Sequence, residues 1–303
     1  MSRIHEALQK ARNQEAPSRG IPDTDEIIVT GTAWTPEPAA DPLAQAEPLE
    51  LLPQSPESSQ SLLAQCRKSE WKIAPETLVF LGEDGHAFGQ EQFRTLRSRL
   101  YNIRSNNNAI SVLVVSSSVP DEGKSFVSCN LAHAFAIQSG RRALLIDADL
   151  RRPDGSTSLL GAPKSPGLTE YLRGDAPLSA VLQTGPIDNL YLIPCGEPVA
   201  NAGELVAHEK LETLLEQLRP VFDWIVIDTP PVLPVADARV AAELADGVLL
   251  VVNAQSTNAK LAKRATSEFE TKRILGVVLN KTADVTPHYY SHYGYDQHKS
   301  SKN

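Results

Sequence analysis

Apolar and polar positions change their spacing in a regular order between residues 89 and 279. Short runs rich in Val, Ile and Leu alternate with segments whose apolar residues recur every three or four positions. Runs that are apolar on consecutive positions are typical of strands buried on both faces. The pattern predicts strands at 109–116, 143–147, 190–193, 223–228, 247–252 and 274–279. It predicts helices at 89–105, 124–139, 168–173, 178–182, 204–219, 236–244 and 257–270.

This alternation predicts an α/β fold in three layers, in which a mainly parallel central sheet carries helices on both faces. In sheets of this kind, ligands bind beyond the carboxyl ends of the strands. Binding and catalytic residues are therefore expected just after the predicted strands.

Three segments lie outside the alternating pattern. Residues 1–14 predict a short amphipathic helix, which is either a frayed terminus or a docking peptide for a partner. Residues 15–76 are rich in proline and acids and poor in bases, which predicts a disordered linker. We therefore expect a folded domain at 77–285 and a separate tail at 286–303.

Composition narrows the class of protein. The chain has 303 residues and a formal net charge of −8, which argues against nucleic-acid binding, because that function needs a basic face. No apolar run approaches the roughly 20 residues of a membrane span, and the N-terminus lacks the apolar core of a signal peptide. The three cysteines, Cys66, Cys129 and Cys195, are odd in number and widely spaced, which predicts neither a disulfide framework nor a metal site. The cytosol is therefore the expected compartment. Cys129 is expected in the core.

A phosphate-binding sequence follows the strand predicted at 109–116. Residues 118–125 read S-V-P-D-E-G-K-S, which fits the P-loop spacing G-x-x-x-x-G-K-[ST] except that Ser118 replaces the first glycine. Gly123 lets the backbone approach phosphate oxygens, and Lys124 places a positive charge on the β- and γ-phosphates. The Ser125 hydroxyl is suited to bind Mg²⁺. A strand before the motif and a helix after it favour ATP binding over an ordinary turn.

Carboxylates follow two further predicted strands. Asp147 and Asp149 end one strand, and Asp228 ends another. In a P-loop fold such an aspartate holds Mg²⁺, and another carboxylate is then free to accept a proton from an incoming hydroxyl. Arg151 either stabilises the charge of a transferred phosphate or binds an acidic neighbour. Asn280 is either a base-recognising amide or an ordinary loop residue.

The C-terminal segment concentrates aromatic residues in a polar context. Four of the chain's seven tyrosines lie within seven residues, at Tyr289, Tyr290, Tyr293 and Tyr295. Core tyrosines would be interleaved with aliphatic residues, and these are not. The segment is either a sticky disordered tail or a functional cluster.

The helix predicted at 89–105 carries Glu91, Arg94 and Arg97 on one face, at i, i+3 and i+6. Taken alone, this spacing indicates a solvated face with internal ion pairs.

Together these features resemble the bacterial tyrosine kinases of capsule and exopolysaccharide assembly (BY-kinases of the CpsD/CapB type). The resemblance covers about residues 77–295. It rests on the P-loop, the Walker A′-like sequence at 144–151, the Walker B-like sequence at 225–231, the E-x-x-R-x-x-R helix and the tyrosine cluster.

The resemblance implies an ATP-dependent kinase that phosphorylates its tail tyrosines in trans and so regulates polysaccharide polymerisation and export. Asp147 would activate the tyrosine hydroxyl. The implied phosphoacceptors are Tyr289, Tyr290, Tyr293 and Tyr295. The implied catalytic residues are Lys124, Asp147, Asp149, Asp228 and Arg151. The implied Mg²⁺ ligands are Ser125, Asp147, Asp149 and Asp228. The implied nucleotide contacts are Ser118, Pro120, Asp121, Glu122, Gly123, Lys124, Ser125, Phe126 and Asn280.

The resemblance also implies partners. Glu91, Arg94 and Arg97 would bridge neighbouring copies of the chain in a ring. A membrane protein of the polysaccharide co-polymerase (chain-length determinant) type would activate the kinase and recruit it from the cytoplasm to the inner face of the membrane. Residues 1–14 are a candidate contact for that activator, and a cognate tyrosine phosphatase would reverse the modification. The tyrosine run departs from the family pattern because it is short and is interrupted by Ser291 and His292.

Two other functions fit parts of the sequence. A positioning ATPase of the MinD/ParA type uses the same kind of sheet, but such proteins carry an extra P-loop lysine at the position of Val119. They also have no reason for a tyrosine tail. A non-catalytic scaffold would bind ATP and regulate a polysaccharide exporter without transferring phosphate. The presence of both Asp147 and Asp149 argues against the scaffold.

Overall fold

The computed structural model of the chain describes residues 56–81, 87–106, 110–152, 155–207, 209–269 and 274–282. The helix predicted at 1–14 and the tyrosine cluster lie outside these residues. The strands are β1 (Arg67–Lys68), β2 (Val112–Ser117), β3 (Ala143–Asp147), β4 (Gln183–Thr184), β5 (Leu190–Ile193), β6 (Trp224–Asp228), β7 (Gly247–Asn253) and β8 (Ile274–Asn280). They form one sheet in the order β1-β4-β5-β3-β6-β2-β7-β8. Neighbouring strands are parallel except for β4 and β5, which confirms the predicted mainly parallel sheet.

Helices cover both faces of the sheet, as the alternating pattern predicts. The helices are α1 (Pro56–Gln65), α2 (Ala87–Asn106), α3 (Lys124–Ala136), α4 (Ser156–Leu159), α5 (Leu168–Arg173), α6 (Leu178–Val181), α7 (Ala202–Val206), α8 (Glu209–Leu218), α9 (Asp237–Leu244) and α10 (Ala259–Ser267). Side chains of α2 and α3 belong to the core on one face, whereas those of α5 to α10 belong to the core on the other. The fold therefore has the three layers expected from the sequence.

The centre of the sheet brings three strand ends to one edge. Strands β3, β6 and β2 are neighbours and are buried along their whole length. Their parallel register pairs Asp147 of β3 with Asp228 of β6, and Asp228 with Val115 of β2. Because β2 ends at Ser117, the loop that follows it emerges beside both carboxylates.

The prediction that the linker extends to residue 76 is wrong at its C-terminal end. Residues 56–65 form α1, and Leu62 and Leu63 pack against the core. Strand β1 pairs with β4. Trp71 is buried so closely on Gly185 that a Cβ at that glycine would lie 2.2 Å from the indole ring. The few apolar residues of this stretch are enough to order it, because they pack against residues from distant parts of the chain.

Several predicted boundaries also differ. The helix predicted at 204–219 is two helices, α7 and α8, and α3 ends at Ala136 rather than at residue 139. Helix α4 has four residues and strand β4 has two. Elements this short contain too few positions to show a period, so the sequence pattern missed them. The predicted core position of Cys129 is confirmed, because the residue is fully buried.

Candidate functional site

The loop between β2 and α3 has the backbone geometry of an anion-binding turn. Gly123 immediately precedes α3 and has a φ of 91°, a conformation that favours glycine. A Cβ at Gly123 would also lie 2.1 Å from Asn280 Nδ2, so any larger residue would displace that side chain. The start of α3 lines the cleft, and a helix N-terminus favours negative charge.

Lys124 gathers the predicted acidic residues. Its Nζ donates to Asp149 Oδ2 at 3.0 Å and to Ser125 Oγ at 3.3 Å, and it lies 3.9 Å from Asp228 Oδ1. Burial lowers the pKa of Lys124, but Asp228 and Asp149 outweigh that effect and leave the pKa above its ordinary value. The ammonium group is therefore charged at neutral pH at the place where the P-loop reading expects phosphate.

Asp147 lies behind this cluster and is fully buried. Its Oδ2 accepts hydrogen bonds from Thr157 N at 2.8 Å and from Thr157 Oγ1 at 2.6 Å. Burial and the nearby charge of Asp228 raise the pKa of Asp147 to about 7. Its Oδ1 lies 2.8 Å from where a Cβ of Gly155 would stand, and Gly155 lines the cleft. Gly155 therefore lies beside both this carboxylate and the cleft.

Asp228 is held by groups on two helices. Its Oδ1 accepts from Ser128 Oγ of α3 at 3.2 Å, and its Oδ2 accepts from Ser156 N of α4 at 3.3 Å. These two hydrogen bonds hold the carboxylate in place. Asp228 is also fully buried, so water does not reach it. Its charge therefore acts on Lys124 and Asp147 with little screening.

A cleft with a volume of about 540 Å³ opens over these residues, which is within the usual size of ligand pockets. Its walls come from the P-loop, the start of α3, and the loops after β3, β6 and β8. They are Pro120, Asp121, Gly123, Lys124, Ser125, Phe126, Asp149, Arg151, Arg152, Gly155, Leu159, Pro230, Pro231, Pro234, Val235 and Lys281. Of the predicted catalytic residues, Lys124, Asp149 and Arg151 line the cleft.

The predicted magnesium ligands do not form a cage of three carboxylates. Within the described ranges, no group of three or more His, Cys, Asp and Glu side chains could hold a metal ion. Asp147 is occupied by Thr157, whereas Ser125 Oγ and Asp149 Oδ2 both lie at Lys124 Nζ. One hydroxyl and one carboxylate still fit Mg²⁺ bound with a nucleotide, because that ion keeps waters and phosphate oxygens as most of its ligands.

Arg151 has an acidic partner within the chain. Its Nε donates to Asp237 Oδ2 at 2.8 Å, and its Nη2 donates to Asp237 Oδ1 at 3.0 Å. The guanidinium group thus forms a two-bond pair with a carboxylate that is only 2 % exposed. Of the two roles left open by the sequence, binding an acidic neighbour is the one that the geometry supports.

The side chains of two residues predicted to contact the nucleotide form hydrogen bonds within the protein. The Glu122 carboxylate accepts from Val119 N and from Asn253 N, at 2.9 and 3.1 Å. Asn280 Nδ2 donates to the carbonyl oxygen of Glu122 at 2.9 Å. Both side chains thus hold the P-loop in place, a role that motif spacing does not reveal.

The E-x-x-R-x-x-R face of α2 shows the internal pairing that the spacing indicates. Arg94 Nη1 lies 3.5 Å from Glu91 Oε2, and both side chains are about half exposed. Arg97 Nη1 donates to the carbonyl oxygen of Ala134 at 2.7 Å, near the C-terminal end of α3. Arg97 is therefore tied to the neighbouring helix, whereas Glu91 and Arg94 remain accessible.

Three residues of the site were not predicted from the sequence: Thr157, Gly155 and Asp237. Thr157 orients Asp147, Gly155 leaves room for it, and Asp237 holds Arg151. Thr157 and Gly155 belong to the short element around α4, which has no periodic pattern. Asp237 lies 86 positions from Arg151, and no local sequence motif predicts a contact over that separation.

None of the helices in the described residues combines the length and the apolar character that a bilayer span requires.

Known proteins resemble this chain in both sequence and structure. The family model described as an AAA domain matches residues 111–269. Tyrosine-protein kinase YwqD of Bacillus subtilis is 31% identical over 210 residues, which are 69% of this chain and 87% of that protein. Succinoglycan biosynthesis transport protein ExoP of Rhizobium meliloti is 37% identical over 176 residues, which are 56% of this chain and 22% of that protein. The kinase domain of Escherichia coli tyrosine kinase ETK aligns with a TM-score of 0.60 and 32% identity, covering 65% of this chain and 78% of that domain.

Proposed function

The chain belongs to the bacterial tyrosine kinases, and we propose that it transfers the γ-phosphate of ATP to Tyr289, Tyr290, Tyr293 and Tyr295 of another copy of itself. The observation that carries the proposal is the convergence of the P-loop with the acidic residues. Lys124 lies within 3.0 Å of Asp149 and 3.9 Å of Asp228, and Asp147 is paired with Asp228 across β3 and β6.

The proposed step is an in-line displacement at phosphorus. The tyrosine oxygen forms a bond to the γ-phosphorus, the bond from that phosphorus to the bridging β–γ oxygen breaks, and ADP leaves. Asp147 is fully buried beside Gly155, so in the proposal the tyrosine oxygen comes within hydrogen-bond reach of this carboxylate past Gly155 and gives it the tyrosine proton. The pKa of Asp147, about 7, suits a base at neutral pH. Thr157 holds the carboxylate of Asp147 in a single orientation for that transfer.

Positive charge supports the same step. In the proposal, Lys124 turns from Asp149 to the β- and γ-phosphates, and the N–H groups at the start of α3 bind phosphate oxygens. Mg²⁺ bound with ATP would neutralise part of the charge that develops on those oxygens. Ser125 and Asp149 are the residues that fit this ion.

The proposed biological role is the control of polysaccharide polymerisation and export. ExoP, a relative by sequence, is named for succinoglycan biosynthesis and transport. We propose that a membrane co-polymerase activates this chain at the inner face of the membrane and that a tyrosine phosphatase resets it. We further propose that Glu91 and Arg94, which are accessible on α2, contact a neighbouring copy in a ring.

Labelled ATP tests the reaction against the two rival functions. We expect the wild-type protein to incorporate label, and we expect a variant with phenylalanine at all four tail tyrosines to incorporate at least tenfold less. Tyr171→Phe, a matched change on α5 of the folded domain, is expected to retain the wild-type signal.

Other outcomes identify the rivals. Release of free phosphate without labelled protein would support a positioning ATPase. Binding of ATP without turnover would support a scaffold. Equal labelling of the wild type and the four-phenylalanine variant would show that the tail is not the acceptor.

A further inference from the structure

Glu122 lies within the P-loop sequence, yet it does not line the cleft. It is 1% exposed, whereas the residues on either side of it, Asp121 and Gly123, form part of the cleft wall. A buried carboxylate requires hydrogen-bond donors. The hydrogen-bond donors around the Glu122 carboxylate indicate its role.

The Glu122 carboxylate connects the P-loop to the end of β7. Oε2 accepts from Val119 N at 2.9 Å, within the loop itself. Oε1 accepts from Asn253 N at 3.1 Å and from Thr257 Oγ1 at 2.5 Å. Asn253 is the last residue of β7, and Thr257 lies just before α10. One side chain therefore ties both ends of the loop's central turn to a rigid strand more than 130 positions away.

A second anchor comes from the end of β8. Asn280 Nδ2 donates to the Glu122 carbonyl oxygen at 2.9 Å, and Lys281 Nζ donates to the Asp121 carbonyl oxygen at 2.7 Å. Between these anchors the backbone takes left-handed conformations at Asp121, with φ 64°, and at Gly123, with φ 91°. Left-handed backbone is uncommon outside glycine, aspartate adopts it more readily than most residues, and the bond from Lys281 to the Asp121 carbonyl oxygen helps to hold it here.

We propose that Glu122 and Thr257 are positioning residues that hold the P-loop in its phosphate-binding conformation before ATP arrives. Neither needs to touch the nucleotide. They fix the direction of the loop N–H groups, so ATP binding does not have to order the loop, and preorganisation of this kind raises affinity. The inference rests on the proposed function only in that the P-loop binds ATP.

The Thr257 hydroxyl provides the sharpest test, because it can be removed with almost no change in side-chain size. We expect Thr257→Val to weaken ATP binding about tenfold, the scale of losing one hydrogen bond to a charged group. Calorimetric titration with ATP and Mg²⁺ measures this directly. We expect kcat at saturating ATP to stay within twofold of wild type, so the effect falls on KM. Thr257→Ser, which restores the hydroxyl, should recover wild-type affinity.

Thr266→Val is the matched control. Thr266 lies on α10, and its hydroxyl donates to the carbonyl oxygen of Lys263 in its own helix. It should leave ATP affinity unchanged. Glu122→Gln gives a second approach if Thr257→Val fails to fold. The Gln amide would place a donor against N–H or O–H donors, and we expect a larger loss of affinity than for Thr257→Val.

Three results would overturn the inference: wild-type ATP affinity in both Thr257→Val and Glu122→Gln, failure of Thr257→Ser to recover affinity, or a loss confined to kcat. The proposed kinase function has a separate readout. If the wild type binds ATP but labels no tyrosine, while Thr257→Val still binds ATP about tenfold more weakly, the positioning role stands and the proposed function falls.

Discussion

Replacing Lys124 with methionine is expected to lower the rate of tyrosine phosphorylation by about 10²–10³-fold, the scale seen when one preorganised electrostatic group is removed from a transition state. Methionine keeps the length of the side chain and removes the charge. Quantified label incorporation at saturating ATP measures the loss. Lys260→Met, a change at an exposed lysine on α10, should retain wild-type activity.

The same change should also affect the folded state. Lys124 Nζ lies 3.0 Å from Asp149 Oδ2 and 3.9 Å from Oδ1 of the buried Asp228. Removing it leaves buried negative charges without their partner, which is destabilising. Thermal unfolding of Lys124→Met must therefore be measured beside activity, and activity compared at a temperature where both proteins are folded. Wild-type labelling by folded Lys124→Met would contradict the assignment of the phosphate site.

Replacing Asp147 with asparagine is expected to lower kcat by about 10²–10⁴-fold, the usual contribution of a general base. Asparagine keeps the shape of the side chain, and its carbonyl oxygen can still accept from Thr157. Because Asp147 is enclosed behind Gly155 and does not line the cleft, ATP binding should change little. Steady-state kinetics combined with calorimetric ATP titration separate the two effects.

Asp149→Asn is the informative comparison for Asp147→Asn. Asp149 lines the cleft and bonds to Lys124, so its loss should weaken binding of ATP with Mg²⁺ as well as turnover. If Asp147→Asn retains activity within threefold of wild type, Asp147 is not the base, whatever Asp149→Asn does.

Local spacing predicted the parts of the site that follow directly from strand ends. Lys124, Asp149 and Asp228 meet because parallel strands β2, β3 and β6 end at one edge of the sheet, and strand periodicity places each of them at an end. The layer architecture was predictable for the same reason, since consecutive apolar residues mark strands covered on both faces.

Residues that act through distant contacts were not predictable in this way. Thr157 and Thr257 are ordinary loop threonines until the fold brings them to Asp147 and Glu122. The hydrogen bonds of the Glu122 side chain were not predictable, because the motif specifies where the backbone lies and not where this side chain points. The linker boundary was placed too late because Trp71 is buried by distant residues, which local composition does not reveal.

The most direct test of transfer between copies mixes two variants, neither of which can label itself. Lys124→Met retains the tail tyrosines but lacks the phosphate cation, and the four-phenylalanine tail variant retains the cleft but offers no acceptor. Incubated together with labelled ATP, they should place label on the Lys124→Met copy alone, and neither protein should be labelled when incubated by itself. Absence of label from the mixture, under conditions in which the wild type labels itself, would contradict transfer between copies.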